Sequence, residues 1–289
     1  SEMRTMLTPE AIALNTAGLK AQFARYLVFD ADDGRGGVRG RLLDNADWLV
    51  PLNYVEFLRD VGRHFSVNRM LTAESYRMRL ETGLSFLEFN YMLLQAYDFA
   101  RLFHTHACEL QMGGQDQWGN IVAGIDLIRR MHGGQGYGLT FPLLMNASGE
   151  KFGKSAKGTS VWLDAERTSP YEFYQFFRNV DDADVERLLG LFTLLPMDEV
   201  RRLSAVCADG GLNRAKEILA YEATALCHGA PAAREAFLTA ARTFGAADPD
   251  GRIATSSACP ARAAAGAADL PTTAIPTAEL AAGLRAAAL

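Results

Sequence analysis

The sequence predicts an α/β segment followed by an all-helical one, and three stretches carry that expectation. Ser85 to Asn120, SFLEFNYMLLQAYDFARLFHTHACELQMGGQDQWGN, reads as a helix, a short strand ending in Leu110-Gln111-Met112, a glycine turn and the start of a second helix, Trp118 to Met131. Gly138 to Met145, GLTFPLLM, is a second apolar run of strand length. From Thr168-Ser169-Pro170-Tyr171-Glu172 onward the signals are helical: Ser169 as cap, Pro170 in the first position and Glu172 completing a capping box. Helices follow through Phe176, Leu188 to Phe192, Val200 to Cys207 and Arg214 to Leu226, closing at His228-Gly229.

Before Ser85 the elements are weaker. Pro9 to Ala24 reads as an amphipathic helix and RYLVFD, 25–30, as a short strand; Ala31 to Gly40 is a glycine- and charge-rich loop. Asp44 to Asp60 is a turn feeding a helix, and HFSVNRML and AESYRMRLE add further helix. At 289 residues, 49% apolar and 22% charged, the chain is long enough to bury a sizeable core in one or two domains. A formal charge of −5 argues against a whole-surface nucleic-acid binder, so any RNA contact must use a local basic patch. Arg178, Arg201, Arg202, Arg214 and Lys216 could supply one, although scattered helical charges are usually solvated. Cys108, Cys207, Cys227 and Cys259 are scattered without CxxC spacing, which suits reduced thiols and no metal site. No apolar run has membrane-spanning length and no signal-peptide pattern occurs, so a cytoplasmic protein with no membrane partner is expected.

The chemistry concentrates on the helix after Ser85. Tyr91, Gln95 and Asp98 are spaced i, i+4 and i+7 and share one face over roughly 10 Å of helix axis. A polar row among Phe86, Leu87, Phe89, Met92, Leu93, Leu94 and Phe99 needs partners if buried, since an unpaired buried polar group costs roughly 1–3 kcal/mol. A ligand with an ammonium at one end and a hydroxyl at the other would satisfy it. Taken alone the helix also admits a plainer reading, with Tyr91 half-buried and Gln95 and Asp98 solvated. Gly113-Gly114 lets backbone approach a ligand with no Cβ in the way. Gln115, Asp116 and Gln117 then open the next helix, where free N–H groups favour an anion or sugar and an acidic side chain can accept from ribose hydroxyls. His104 and His106 read as histidines of a helix's last turn.

Further on, Lys151-Phe152-Gly153-Lys154-Ser155 places two lysines three apart in a glycine-rich loop. Flexible point charges of this kind suit a polyphosphate whose charge moves during reaction, and a solvated basic loop is the plainer alternative. A Walker P-loop would need glycine at position 148, which is Ser148, and a helix after Ser155, which AKGTSVW does not offer. From Ala230 to Leu289 there are 23 alanines in 60 residues, five prolines and two aromatics; from about Ala246 the chain reads as flexible linker.

The segments YMLLQAYD, LQMGGQDQWGN and KFGKS, in that order, closely resemble bacterial-type tyrosyl-tRNA synthetase, a class I aminoacyl-tRNA synthetase, over about Ser1 to Gly229. The sister tryptophanyl enzymes share the fold but lack the Tyr-x-x-x-Gln-x-x-Asp row. The resemblance implies a partial class I Rossmann-like nucleotide-binding domain over 1–165, with a dimer-forming helical insertion at about 36–80. An α-helical anticodon-side domain over 166–245 and an Ala/Pro-rich linker over 246–289 would follow. It also implies a family half upstream bearing a His-x-Gly-His motif, absent from this sequence, and a ribosomal-protein-like RNA-binding domain downstream. A truncated chain that activates tyrosine poorly or not at all is therefore the expectation.

By the same resemblance, L-tyrosine would be activated by ATP and transferred to tRNA(Tyr), with a homodimer as the assembly. Tyr91 and Gln95 would hold the substrate ammonium, and Asp98 would accept the phenolic hydroxyl. Gln111 and Gln117 would contact tyrosine. Gly114 and Asp116 would seat the ribose and Leu143 and Leu144 would lie near adenine. Lys151 and Lys154 would draw charge onto the leaving pyrophosphate, with Ser155 alongside. Magnesium would arrive with ATP, with no tightly bound cofactor. A non-catalytic RNA-binding relative, and an adenylating ligase of another small acid on the same fold, are the alternatives to this reading.

Overall fold

The computed structural model describes residues 7–29, 31, 40–72, 76, 80, 83–149, 151–153, 160–208 and 213–261. The chain divides into two units, Arg41–Met145 and, together, Ser1–Gly40 and Asn146–Leu289. The expected boundary near 165 is thus displaced: the first 40 residues and the stretch after Met145 group with the helical part. One cause is Arg25, whose guanidinium donates to the carbonyls of Leu163 (2.9 Å) and Cys227 (3.4 Å).

In the described part of the N-terminal stretch, α1 (Pro9–Phe23) is capped by Thr8, whose hydroxyl accepts from the Ala11 amide at 3.2 Å. The helix forms where the sequence puts it, but none of its residues is buried. The strand expected over 25–30 does not form: 24–26 turn and 27–29 are irregular, and Asp30 lies outside the described residues.

Unit 41–145 opens with three short helices, α2 (Ala46–Leu49), α3 (Tyr54–Asp60) and α4 (Val67–Met70). Most of AESYRMRLE lies outside the described residues. The long helix α5 (Phe86–His106) starts at a complete capping box, Ser85 with Glu88, and stops at Ala107, whose φ of 51° is left-handed. Strand β1 (Leu110–Gly114), helix α6 (Trp118–His132) and strand β2 (Tyr137–Phe141) form a parallel βαβ unit, with Leu110 opposite Tyr137 and Gly114 opposite Phe141.

Two glycines let these layers close. A Cβ at Gly124 would lie 2.9 Å from the Phe99 ring, and one at Gly138 would lie 2.5 Å from Ile121 Cγ2. The core joins Met92, Leu93, Ala96 and Phe99 of α5 to Leu127 and Ile128 of α6 and to Phe57, Val61 and Met70 from the short helices. The segment from Phe57 to Met70 therefore shares the core of the βαβ unit. Among the described residues no helix is long and apolar enough to cross a membrane.

In the other unit α7 (Pro170–Arg178), α8 (Val185–Phe192), α9 (Met197–Ala208) and α11 (Ala230–Phe244) surround α10 (Arg214–His228). The Ser169–Pro170–Glu172 start is present as read from the sequence. Phe177, Tyr174, Leu188, Ile218, Leu219 and Phe237 fill the core.

Two expectations fail here. Arg214 is 1% exposed and bonds Glu217 at 3.2 Å, so it offers nothing to RNA. Residues 246–261 are a docked strap, not a flexible linker, while 262–289 lie outside the described residues. Arg214 donates to the carbonyls of Cys259 and Pro260, both at 2.8 Å. Glu217 accepts from the Ala247 amide at 2.8 Å, and Glu199 from Thr255 and Ser256 at 2.6 to 2.8 Å. The strap is held by buried charges reaching its backbone, which compensates for its lack of large apolar side chains.

Candidate active site

The polar row on α5 is supported from two directions. Asp98 is half-buried; Trp48 Nε1–H donates to one of its oxygens at 2.7 Å and Asn45 Nδ2–H to the other at 2.9 Å. Burial raises its proton affinity above the ordinary carboxylate range, and those two donors pull the other way without cancelling it. Gln95 is held from α6: Asn120 Nδ2 donates to Gln95 Oε1 at 2.9 Å and is shared with Gln117 Oε1 at 3.2 Å. Gln117 Nε2 in turn donates to Asp116 at 3.0 Å. One chain of side chains therefore runs from Asp116 through Gln117 and Asn120 to Gln95. Tyr91, one turn earlier, is 58% exposed.

Strand β1 delivers the other groups. Gln111 is half-buried, and its Oε1 is sealed from solvent with no hydrogen-bond partner among the described residues, the kind of orphan that needs an explanation in a folded protein. After it come Gly113 and Gly114 and a 3-10 turn, Gln115–Gln117, before α6 begins. A Cβ at Gly114 would sit 2.5 Å from Asp116 Oδ1, so the carboxylate folds back over the glycine. Leu143, exposed, and Leu144, half-buried, follow β2 at the same end. In parallel α/β units ligands bind outside the carboxyl ends of the strands, which is where Gly114, Asp116, Gln117, Leu143 and Leu144 lie.

Unit 41–145 thus contains Tyr91, Gln95, Asp98, Gln111, Gly114, Asp116, Gln117, Leu143 and Leu144, and of these the contacts above join Gln95, Gly114, Asp116 and Gln117. Lys151, exposed, belongs to the other unit, and Lys154 and Ser155 lie outside the described residues. Sequence reading missed Asn45, Trp48 and Asn120. Asn120 was within reach of the pattern, because it lies three residues after Gln117 on the same helical face. Nothing in the pattern linked Asn45 and Trp48 to a carboxylate some 50 residues away. His104 stacks on His132 with centroids 4.9 Å apart and takes no part in this arrangement.

A parallel βαβ unit whose first strand ends in two glycines, and a helix presenting a carboxylate and an amide, is the architecture of a class I synthetase. The family described as tRNA synthetases class I (W and Y) matches residues 1–245, and the chain belongs to it. It is 54% identical over 290 residues to the tyrosine–tRNA ligase of Desulfatibacillum aliphaticivorans, covering 99% of this chain and 65% of that protein. With the tyrosine–tRNA ligase of Syntrophus aciditrophicus it shares 56% over 245 residues, 85% of this chain and 55% of the relative. The C-terminally truncated mitochondrial tyrosyl-tRNA synthetase of Coccidioides posadasii superposes with a TM-score of 0.65 at 30% identity, covering 82% of this chain and 69% of that one. That of Aspergillus nidulans gives 0.70 at 28% identity, covering 83% and 71%. Within the class, the chain is a member of the tyrosyl-tRNA synthetases. It spans between half and two-thirds of the length of the curated relatives it matches.

Proposed function

We propose that this chain carries the tyrosine-selecting and nucleotide-facing parts of a tyrosine–tRNA ligase, which activates L-tyrosine with ATP and passes it to tRNA(Tyr). The observation that carries this reading is the Asp98 carboxylate, held by Trp48 and Asn45 on a half-buried helix face. A carboxylate fixed by two donors keeps lone pairs for a phenolic hydroxyl. Phenylalanine would leave that acceptor unpaired, which is the physical basis for rejecting it; the handling of tyrosine against phenylalanine by this enzyme class is itself a standard illustration of that rule.

In this proposal Tyr91 and Gln95 bind the substrate ammonium, with Gln95 oriented by Asn120. Gln111 and Gln117 complete the amino-acid contacts, and the unpartnered Gln111 Oε1 gains a donor from the ligand. Gly114 and Asp116 receive the ribose, and Leu143 and Leu144 flank adenine. The tyrosine carboxylate attacks the α-phosphorus of magnesium-bound ATP, the bond to pyrophosphate breaks, and Lys151 and Lys154, with Ser155, draw charge onto the departing group. No general base is required, because the attacking carboxylate is already ionised. A cytoplasmic homodimer is part of the same reading. Support for self-association comes from Val50, Tyr54, Val55, Phe86 and Leu87, large apolar side chains exposed on one unit.

The test is tyrosine-dependent exchange of labelled pyrophosphate into ATP, beside calorimetric binding of tyrosine and phenylalanine. Exchange that needs tyrosine and is lost in Lys154→Ala establishes the activation step on this chain. Tyrosine binding selective over phenylalanine, without exchange, leaves the amino-acid site standing alone. Binding that ignores the phenolic hydroxyl refutes the proposal.

A further inference from the structure

The loop that bears Lys151 is fastened to the helical unit by a residue with no role in the reading above. We propose that Phe152 is a positioning residue, whose ring anchors the backbone from which Lys151 reaches a phosphate; this rests on the assignment of Lys151 to the pyrophosphate-facing role. The Phe152 ring lies between α7 and α8. Its centroid is 5.1 Å from Phe176, 5.9 Å from Phe177 and 5.6 Å from Phe192, the last in a stacked arrangement at 30°. These three rings also contact one another, with Phe177 at 5.2 Å from both Phe176 and Phe192, so Phe152 enters a formed cluster.

The neighbouring backbone is held as well. Gly153, whose φ of 104° only glycine adopts readily, accepts through its carbonyl from the Val161 amide at 2.9 Å. On the other side the Ala147 amide donates to Asp184 at 2.8 Å, and Asp184, 4% exposed, is also bonded by Arg187. Lys151 is exposed, and no hydrogen bond or ion pair is seen for its side chain among the described residues. A lysine is a point charge on a long flexible stem. Where its charge can go is therefore set by where its Cα is held, and the ring next to it is what holds it. The sequence KFG places a bulky aromatic between a charge and a left-handed turn; a solvated basic loop has no use for one there.

The experiment is a double-mutant cycle on the whole chain, read as affinity for inorganic pyrophosphate with magnesium. Lys151→Ala should weaken binding roughly tenfold or more, the equivalent of one charge-assisted hydrogen bond. Phe152→Ala should weaken it about threefold or more, Phe152→Leu should restore most of that, and Phe152→Ala added to Lys151→Ala should change nothing further. Unfolding curves for each variant show whether the helical core survives; if Phe152→Ala unfolds it, the same cycle is run with Phe152→Leu, whose milder weakening must also vanish without Lys151. An effect of Phe152 that persists unchanged without Lys151, or no effect of Phe152→Ala beside a clear effect of Lys151→Ala, overturns the positioning role and leaves the phosphate role of Lys151 intact. No effect of Lys151→Ala overturns both.

Discussion

The Trp48→Phe variant isolates the support of Asp98. It keeps most of the aromatic surface and deletes one N–H, the donor 2.7 Å from the carboxylate, while Asn45 remains at 2.9 Å. A hydrogen bond to a charged group contributes about 1.5–3 kcal/mol, and at a half-buried site open to water the lower end applies, which is about tenfold in an equilibrium. The sign follows from linkage. Asp98 already binds its proton more tightly than an unfolded aspartate because burial outweighs its two donors. The native state therefore holds the extra proton, and charging the group costs stability as pH rises through the raised value. Losing a donor enlarges that displacement. A phenolic hydroxyl donates more strongly to the ionised carboxylate than to the neutral acid, so tyrosine affinity falls as pH drops through the Asp98 titration, and in Trp48→Phe the fall begins at higher pH. Calorimetric titration of tyrosine from the ordinary carboxylate range, about pH 4, upward at fixed salt measures this. Superimposable profiles at equal affinity would show that Trp48 does not support the acceptor, or that Asp98 is not the acceptor, and either result removes the basis of the proposed selectivity.

Asn120→Ala cuts the only link described between Gln95 and Gln117 and should weaken tyrosine binding about three- to tenfold with little change in melting temperature, the scale of one neutral hydrogen bond. Gly138→Ala forces a methyl to within 2.5 Å of Ile121 and should cost about 1–3 kcal/mol in urea unfolding, with Ile121→Ala in the same chain recovering part of it. Arg214→Met strands Glu217 in a site 2% exposed and should cost about 3–5 kcal/mol, more than the paired replacement Arg214→Met with Glu217→Leu. For Glu199 and Asp248, burial alone would raise the proton affinity, but bonds from Ser256 and Thr255 and from the Ile253 and Arg252 amides outweigh it, so both bind protons less readily than in the unfolded chain. Their stabilisation of the strap is complete above the ordinary carboxylate range, about pH 4, and disappears as pH falls below it; hydrogen exchange at Arg252, Ile253 and Ser256, whose amides these carboxylates hold, should accelerate there while α10 stays protected.

What the sequence made legible was local. The capping boxes at Ser85 and Ser169 are written within a few neighbouring residues, and both appear in the structure. The glycine turn expected after Met112 does not: Gly113 and Gly114 stay paired in β1, and the chain turns at Gln115–Gln117. The face carrying Gln95 and Asp98 was equally readable, because helical period alone puts them together. The partners of that face were not: Trp48 and Asn45 come from a segment that looked like a turn and a weak helix. The expected strand over 25–30 shows the opposite error, β-like composition with no strand pairing among the described residues. The strap went unread for a related reason. Alanine- and proline-rich composition signals a failure to bury apolar surface, and that rule says nothing of backbone amides and carbonyls bound by Arg214, Glu217 and Glu199 from distant helices.

The two units differ in how they treat buried polar groups, and the difference bears on where a ligand can go. In the helical unit the buried charges are nearly saturated. Arg214 makes bonds through both terminal nitrogens and leaves only Nε without a partner, inside a site too enclosed to admit anything. His228 Nε2 is also orphaned, but the ring stands against the Phe173 edge at 5.0 Å, and burial disfavours its protonation, so a neutral imidazole fits there. Around α5 and β1 the situation is reversed. Asp98 has two donors where an ionised carboxylate can accept about four bonds, Gln111 Oε1 has none among the described residues, and both side chains are half-buried. An unpaired acceptor in a sealed core is only a cost. The same deficit at the carboxyl ends of parallel strands is capacity that a ligand's donors can fill, and an ammonium and a phenolic hydroxyl bring donors of the required kind.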